Sequence, residues 1–286
     1  MGAGGLIDPA WCTATFAPIL RALPPQLSEA TITRPELLLC TDGPLSIYFT
    51  PFDLTNPTAR VLLVGLSPGR HQLQLAIITA GAALRAGQSI NQALRAAKQT
   101  ASFAGSMRSN LVSMLDGIDL HHALELPSSA RLFADRDDLG ATTSAICHAV
   151  FRDGRNYSGA PPVDRHPLLR AFARQVLAAN LAMTPEALVV PLGQAAARAV
   201  ALTAVDPGRV LWEFPHRRVP TATEFASTPG RVRPWPGPWP SGSANRHAVP
   251  VLGVPGIPAR YPLCPLGFGA AGAMTAPNRM GTDGQG

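Results

Sequence analysis

The chain has 286 residues, 46% hydrophobic and 15% charged, enough apolar material to bury a sizeable core as one domain plus extensions. Its 24 Lys and Arg against 18 Asp and Glu leave a net charge of +6, which suits a polyanionic partner and equally describes a surface that is merely soluble. No run of 18 apolar residues occurs, and no basic N-terminal segment leads into an apolar core and cleavage site, so the expectation is a soluble cytoplasmic protein without a membrane span or secretion signal.

In chain order, residues 1–44 read as an N-terminal extension with a short helix over 17–23 that Pro24 and Pro25 stop. Residues 45–49 read as a strand. The apolar run Val61-Leu62-Leu63-Val64 then ends in a corner, Gly65-Leu66-Ser67-Pro68-Gly69, of the kind that brings backbone close to a ligand at a strand tip. Residues 73–86 have helical composition, Gly87 breaks them, and Ser89 is the expected N-cap of a second helix to about residue 98. Met107, Leu111, Met114, Leu115 and Ile118 recur at helical spacing, the stripe of a helix lying on a sheet. Residues 143–151 are strand-like, Asp153-Gly154 marks a turn, and Leu168, Leu169, Phe172, Val176 and Leu177 form another helical stripe.

Two more strand-like runs follow: 187–191, which passes Gly193 into a helix from Gln194, and 209–214, which runs into Pro215-His216. Strands alternating with helices make the fold class α/β. From about residue 217 Pro and Gly recur every few residues, and an irregular or disordered tail is expected over 217–286.

Cys12, Cys40, Cys147 and Cys264 form no C-x-x-C pair, so buried free thiols are expected rather than a disulfide framework or a zinc site. His121 and His122 are adjacent, and adjacent residues on a helix point apart, so no metal is expected. The corner at Gly65 also satisfies G-x-S-x-G, the nucleophile elbow of serine hydrolases. In that elbow the residue after the nucleophile donates its backbone N–H to an oxyanion, and Pro68 has none. Losing one such donor typically costs ~10²–10³ in rate. The hydrolase reading is therefore kept only as a low-ranked alternative.

The same corner resembles the first motif of the uracil-DNA glycosylase superfamily. Phe103-Ala104-Gly105, followed by Leu111, Met114 and Leu115, resembles the segment that supplies the superfamily's base-stacking Phe. Val189-Val190-Pro191-Leu192-Gly193-Gln194-Ala195 is similar to its strand, Leu-Gly-x-x-Ala and helix segment, and Phe214-Pro215-His216 resembles the opening of its last motif. The four stand in the right order within residues 45–216. The resemblance implies a three-layer α/β/α domain with a central, mostly parallel sheet over 45–216. It also implies a monomeric DNA glycosylase without metal or cofactor, which flips uracil or another deaminated base out of DNA and hydrolyses its N-glycosidic bond.

For individual residues, the resemblance implies that Gly65, Leu66, Pro68 and Gly69 approach base and sugar and that Phe103 stacks on the base. His216 would donate to the base oxygen where negative charge develops, and Ser67 would hold the water. An Asn amide at the end of a middle strand reads uracil in the superfamily. Ser144 aligns with that position, and Asn156 is a second candidate. Arg70, just beyond the corner, would reach a DNA phosphate, and Ser241, Gly242 and Asn245 would contact DNA, because residues 240–246 resemble a displaced continuation of the last motif.

Several positions depart from the pattern. Ser67 stands where the best-equipped members carry Asp or Asn, and a serine hydroxyl at its normal pKa is no general base. His216 meets Arg217-Arg218 instead of Pro-Ser, which leaves 217–239 as either a basic, aromatic loop or the trace of a reading-frame error. Plainer readings also stand: a turn hydroxyl for Ser67, turn stabilisation for Asn156, a carbonyl-bonded strand end for His216 and a solvated helix start for Arg70. Beside the active glycosylase, a weakened or inactive nucleic-acid-binding relative and the serine hydrolase remain as alternatives.

Overall fold

The computed structural model describes residues 9–212 and residue 214, so His216, Ser241, Gly242, Asn245 and the tail expected over 217–286 lie outside the described residues. α1 (Pro9–Ala22) ends just before Pro24-Pro25, as proline's missing N–H and fixed φ require. α2 (Glu29–Ile32) follows, its N-cap Ser28 accepting from the Thr31 amide at 3.3 Å. β1 (Leu38–Asp42) then turns through Gly43 into β2 (Leu45–Tyr48), with which it pairs antiparallel. From residue 9 on, the expected N-terminal extension is thus part of the packed body: Phe16, Leu20, Leu23 and Ile32 share an apolar cluster with Phe49, Leu73 and Ile77. Pattern reading misses β1 because the strand is short and bulged between Leu38 and Cys40, which erases its period-2 signature.

β3 (Val61–Gly65) is buried along its whole length and leads through the Gly65 corner into α3 (Arg70–Arg85). α1 crosses α3 at Gly81, where a Cβ would stand 2.7 Å from the Leu20 carbonyl oxygen, so only glycine permits this approach. α4 (Ile90–Ala101) starts at a capping box: Ser89 Oγ accepts from the Gln92 amide at 3.3 Å, and Gln92 Oε1 accepts from the Ser89 amide at 2.9 Å. α5 (Ser106–Asp116) and α6 (Leu120–Ala123) complete the first crossover. Leu111, Met114, Leu115 and Ile118 are buried as the stripe predicts, whereas Met107 is exposed.

β4 (Gly140–Ser144) lies parallel to β3 on one side, and β7 (Leu188–Pro191) lies parallel to it on the other. Between them run β5 (Ala149–Arg152), β6 (Arg155–Asn156) and α7 (Pro167–Phe172), which passes through a π-helical turn (Ala173–Leu177) into α8 (Ala178–Met183). α9 (Gln194–Val200) follows β7. Strand pleating sends Val61, Leu63, Leu188 and Val190 to one face, against Leu111 and Leu115 of α5 and Leu120 of α6. Leu62, Val64 and Val189 face the other way, against Leu169, Phe172, Leu181 and Ala196. The result is a three-layer α/β/α fold with a parallel sheet in the middle, in the order β4-β3-β7.

Two strand expectations need correction. The run 143–151 is not one strand: Ser144 ends β4 in the parallel sheet, and β5 belongs to a second, antiparallel sheet ordered β1-β2-β5-β6. The chain changes sheet because the amides of Ala145 and Ile146 bond the carbonyls of Gly65 and Leu66 at 2.8 and 3.0 Å, which pulls it around the corner. Among the described residues the run 209–214 forms a single parallel bridge, Val189 to Val210, since a 3-10 turn (Pro207–Arg209), held by Asp206, takes up its start. The Asp153-Gly154 turn is present, both residues at positive φ between β5 and β6, as a two-residue hairpin requires.

Candidate active site

The C-terminal ends of β3 and β4 meet at one point, with Gly65 paired to Ser144. A Cβ on Gly65 would stand 3.2 Å from Cε1 of Phe103 and 3.3 Å from Oγ of Ser144. Three of the expected site residues, far apart in sequence, therefore come together, and glycine is needed because the aromatic edge and the hydroxyl occupy the side-chain space. A narrow slot opens beside them, lined by Phe52, Gln72, Lys98, Phe103, Ser144 and Cys147 among others.

Phe103 is held there under backbone strain. Its φ of +53° is uncommon for a residue with a bulky side chain, and such conformations persist only where the surroundings enforce them. The enforcement is visible: the Arg108 guanidinium donates to the carbonyls of Gln99, Thr100 and Ser102, closing the end of α4 just before Phe103. The Phe133 ring meets Phe103 edge-on at 6.4 Å. Also in the lining, Lys98 Nζ donates to the Thr142 carbonyl at 2.6 Å, and Ser102 Oγ lies 3.0 Å from Thr142 Oγ1.

The other candidates are placed differently. Ser67 does not face the slot with a free hydroxyl: its Oγ accepts from the Val150 amide at 3.0 Å and lies 3.3 Å from the carbonyls of Pro68 and His148. His148 offers Ser67 its carbonyl and not its imidazole, which instead accepts from the Thr50 amide at 3.3 Å. Burial, at zero exposure, holds that imidazole down to about 4. Asn156 sits on the exposed two-residue strand β6, where its Oδ1 accepts from the Arg70 amide at 2.9 Å. It caps α3, whose own N-cap Gly69 has no side chain, and Gln72 Oε1 accepts from the Gly69 amide at 3.1 Å. Arg70 folds back on the hairpin, its guanidinium 4.6 Å from the Phe151 ring centroid and donating to the Gly154 carbonyl at 2.5 Å. Leu66 and Pro68 complete the corner and are not among the residues that line the slot.

Two groups of side chains bring metal-ligating atoms within 4.8 Å of one another: Asp53, Cys147 and His148, and Asp119, His121 and His122. Local spacing anticipates neither. The His121 and His122 rings, expected to diverge, lie 3.9 Å apart, because α6 is a single turn entered through Asp119 at φ +58° and is no regular helix at that point. The first group has a donor set that zinc accepts. The Lys98 ammonium stands against it and opposes a second cation there, while Thr13 Oγ1 holds Asp53 Oδ2 at 2.8 Å. Burial raises the Asp53 carboxyl to about 7 and pushes the Cys147 thiol up. Cys40 and Cys147 are buried free thiols, as expected.

Sequence reading passed over Lys98, Arg108, Asp53 and Cys147. For Lys98 a signal existed: it falls four residues after Leu94 and three before Ala101, inside the stripe Ala93, Leu94, Ala97 and Ala101 that α4 buries. A lysine on the apolar face of an amphipathic helix is a cation directed toward the interior.

Fold and slot together describe an α/β protein whose polar groups converge where its parallel strands end. The family model of the uracil DNA glycosylase superfamily matches residues 52–248, and the chain belongs to that superfamily. The chain is also similar to the uncharacterized protein YoxB of Bacillus subtilis (strain 168), with 35% identity over 188 residues, 65% of this chain and 73% of the relative. No solved structure matches it. The family match runs past Phe214-Pro215-His216 and takes in residues 240–246. No helix among the described residues is long and apolar enough to cross a membrane.

Proposed function

We infer that this protein is a DNA glycosylase that removes uracil or another deaminated base from DNA by hydrolysing the N-glycosidic bond. The observation that carries the reading is the convergence of Gly65, Phe103 and Ser144 on one slot at the ends of β3 and β4 in a chain of this superfamily. A base extruded from the helix costs a few kcal/mol to unstack, and an aromatic face returns about 1–3 kcal/mol per base. Phe103 supplies that face, and Ser144 offers a hydroxyl to the slot.

Bond cleavage leaves positive charge on the sugar and negative charge on the base, so donors toward the base lower the barrier. His216 is one such donor in this reading; it follows by two residues Phe214, which is buried in the same apolar cluster as Phe103. Ser67 acts as a strut of the corner, since its hydroxyl already accepts from Val150. Catalysis therefore rests on leaving-group stabilisation and not on a general base at that position.

The test incubates the full chain, in excess, with oligonucleotides carrying one uracil or one hypoxanthine, single- and double-stranded, followed by hot alkali. A strand break at the lesion is expected. Lesion binding without a break would instead make the chain a nucleic-acid-binding relative, the reading that the engaged Ser67 favours. Hydrolysis of an activated ester, lost in Ser67→Ala, would restore the hydrolase alternative.

A further inference from the structure

Lys98 has no assigned task in the reading above, yet among the described residues it is the one Lys or Arg that lines the base slot. It lies half-buried on the inner face of α4, and Thr142, whose carbonyl it contacts at 2.6 Å, stands two residues before Ser144 on β4. Two residues of strand span about 6–7 Å, so Lys98 meets β4 one pleat before Ser144, and both side chains line the slot. Phe103 lines it too, five residues after Lys98, with Arg108 closing the turn that joins the two.

An ammonium has three protons to donate, and Thr142 takes one. Among the described residues no carboxylate lies within ion-pair distance of Lys98; Asp53 and Cys147 face it from the loop after β2 and from the link between β4 and β5. On its own helix Arg95 is paired with Asp137 at 2.7 Å and does not compete for the same acceptors. Burial lowers Lys98 to about 8 while the nearby Asp53 carboxyl opposes the fall, so near neutral pH the slot still holds a charged donor.

We propose that Lys98 reads the inner edge of the flipped base, donating to an oxo group there and holding the negative charge that the departing base acquires. This rests on the glycosylase reading and deepens it by naming the residue that selects an oxo base over an amino base. Uracil differs from cytosine, and hypoxanthine from adenine, by an oxo oxygen in place of an amino group. Three ammonium protons can meet the oxygen, whereas an amino group offers only further protons. A site whose buried donor stays unpaired with the wrong ligand discriminates far better than a matching shape does.

The experiment uses the full chain as parent, Lys98→Met, which keeps length and loses charge, and Lys98→Arg, which keeps charge. Affinity is measured for non-cleavable oligonucleotides with one 2′-fluoro-uridine or one 2′-fluoro-cytidine, and single-turnover excision for uracil and hypoxanthine between pH 6 and 9.5. The parent is expected to bind the uracil probe on the order of 10–100-fold tighter than the cytosine probe, Lys98→Met to lose that preference, and Lys98→Arg to keep part of it. Excision by Lys98→Met should fall ~10²–10³-fold. The parent rate should decline as pH rises through about 8, while the Lys98→Met rate should show no such decline.

An unchanged uracil preference or an unchanged pH profile in Lys98→Met overturns the proposal, as does a parent that binds both probes alike. A parent that prefers uracil through Lys98 but cuts nothing leaves the proposal standing and removes the glycosylase activity. Thermal unfolding of each variant shows whether a loss reflects folding, and Lys98→Arg supplies the second test if Lys98→Met does not fold.

Discussion

Two polar clusters flank the Gly65 corner, and they differ in where their hydrogen bonds go. On the side toward the antiparallel sheet, Ser67, Thr50 and Nδ1 of His148 direct theirs into backbone: Val150, Ala149 and Thr50 itself donate to them at 3.0 to 3.3 Å, and only Nε2 of His148 in this group is left without a partner. On the slot side, Ser102 and Thr142 bond each other, while Lys98, which gives one proton to the Thr142 carbonyl, and Ser144 line a cavity with donor capacity left over. A polar group satisfied by backbone fixes structure, whereas one that faces a cavity waits for a ligand. The motif serine that a linear reading would choose as reactive belongs to the first kind, and the lysine hidden in a helical stripe belongs to the second.

Substitutions on the two sides should therefore fail differently. The largest effect is expected at the shared corner: Gly65→Val would drive a side chain into Phe103 and Ser144, already 3.2 and 3.3 Å from a single added Cβ. Displacements of that size cost ~10²-fold or more in rate. Single-turnover excision of uracil by a variant that unfolds near the parent's temperature checks this. A rate within a few-fold of the parent's would mean that the slot is not where the base sits.

His148 comes next, and its effect is on stability. The unfolded chain takes up a proton near 6.5, while the buried imidazole resists until about 4, so the folded state binds fewer protons and loses stability as pH falls through that window. Asp53, raised to about 7, has the opposite slope over part of the range, so the parent alone is uninformative. The difference between parent and His148→Gln isolates the histidine. In urea titrations the parent's stability relative to the variant should drop by up to about 3 kcal/mol between pH 7 and 4. Parallel curves would mean that His148 is not held neutral in the fold.

The smallest effect is expected at Ser67. Ser67→Ala removes the acceptor of the Val150 amide, which should lower stability by about 1 kcal/mol and leave excision within tenfold of the parent, against the ~10²–10⁴ that loss of a general base costs. A larger loss of rate with little loss of stability would return Ser67 to the chemistry.

The parts of the molecule legible beforehand are those governed by local periodicity. β3, the stripe of α5, the Ser89 cap and the Asp153-Gly154 turn follow from the spacing of apolar residues and from turn chemistry, which act over a few neighbours. β1 and the split of 143–151 into two strands were not legible, because sheet membership depends on which distant backbone offers a partner. Asn156 shows the same limit. Its amide could read a base, bond its own turn or cap a helix, and only the approach of β6 to α3 selects the third.

The order of residues alone dictated a class and a cast: α/β elements, a glycine corner at a strand end, an aromatic before a helical stripe and the superfamily's motifs in sequence. Assignment of roles waited for the packed chain. A side chain's task depends on whether its polar atoms already have partners, and those partners, Val150 for Ser67 and Thr142 for Lys98, stand 83 and 44 residues away. Such distances close only when sheets and helices stack, so the identity of the available donor is a property of the fold and not of the motif.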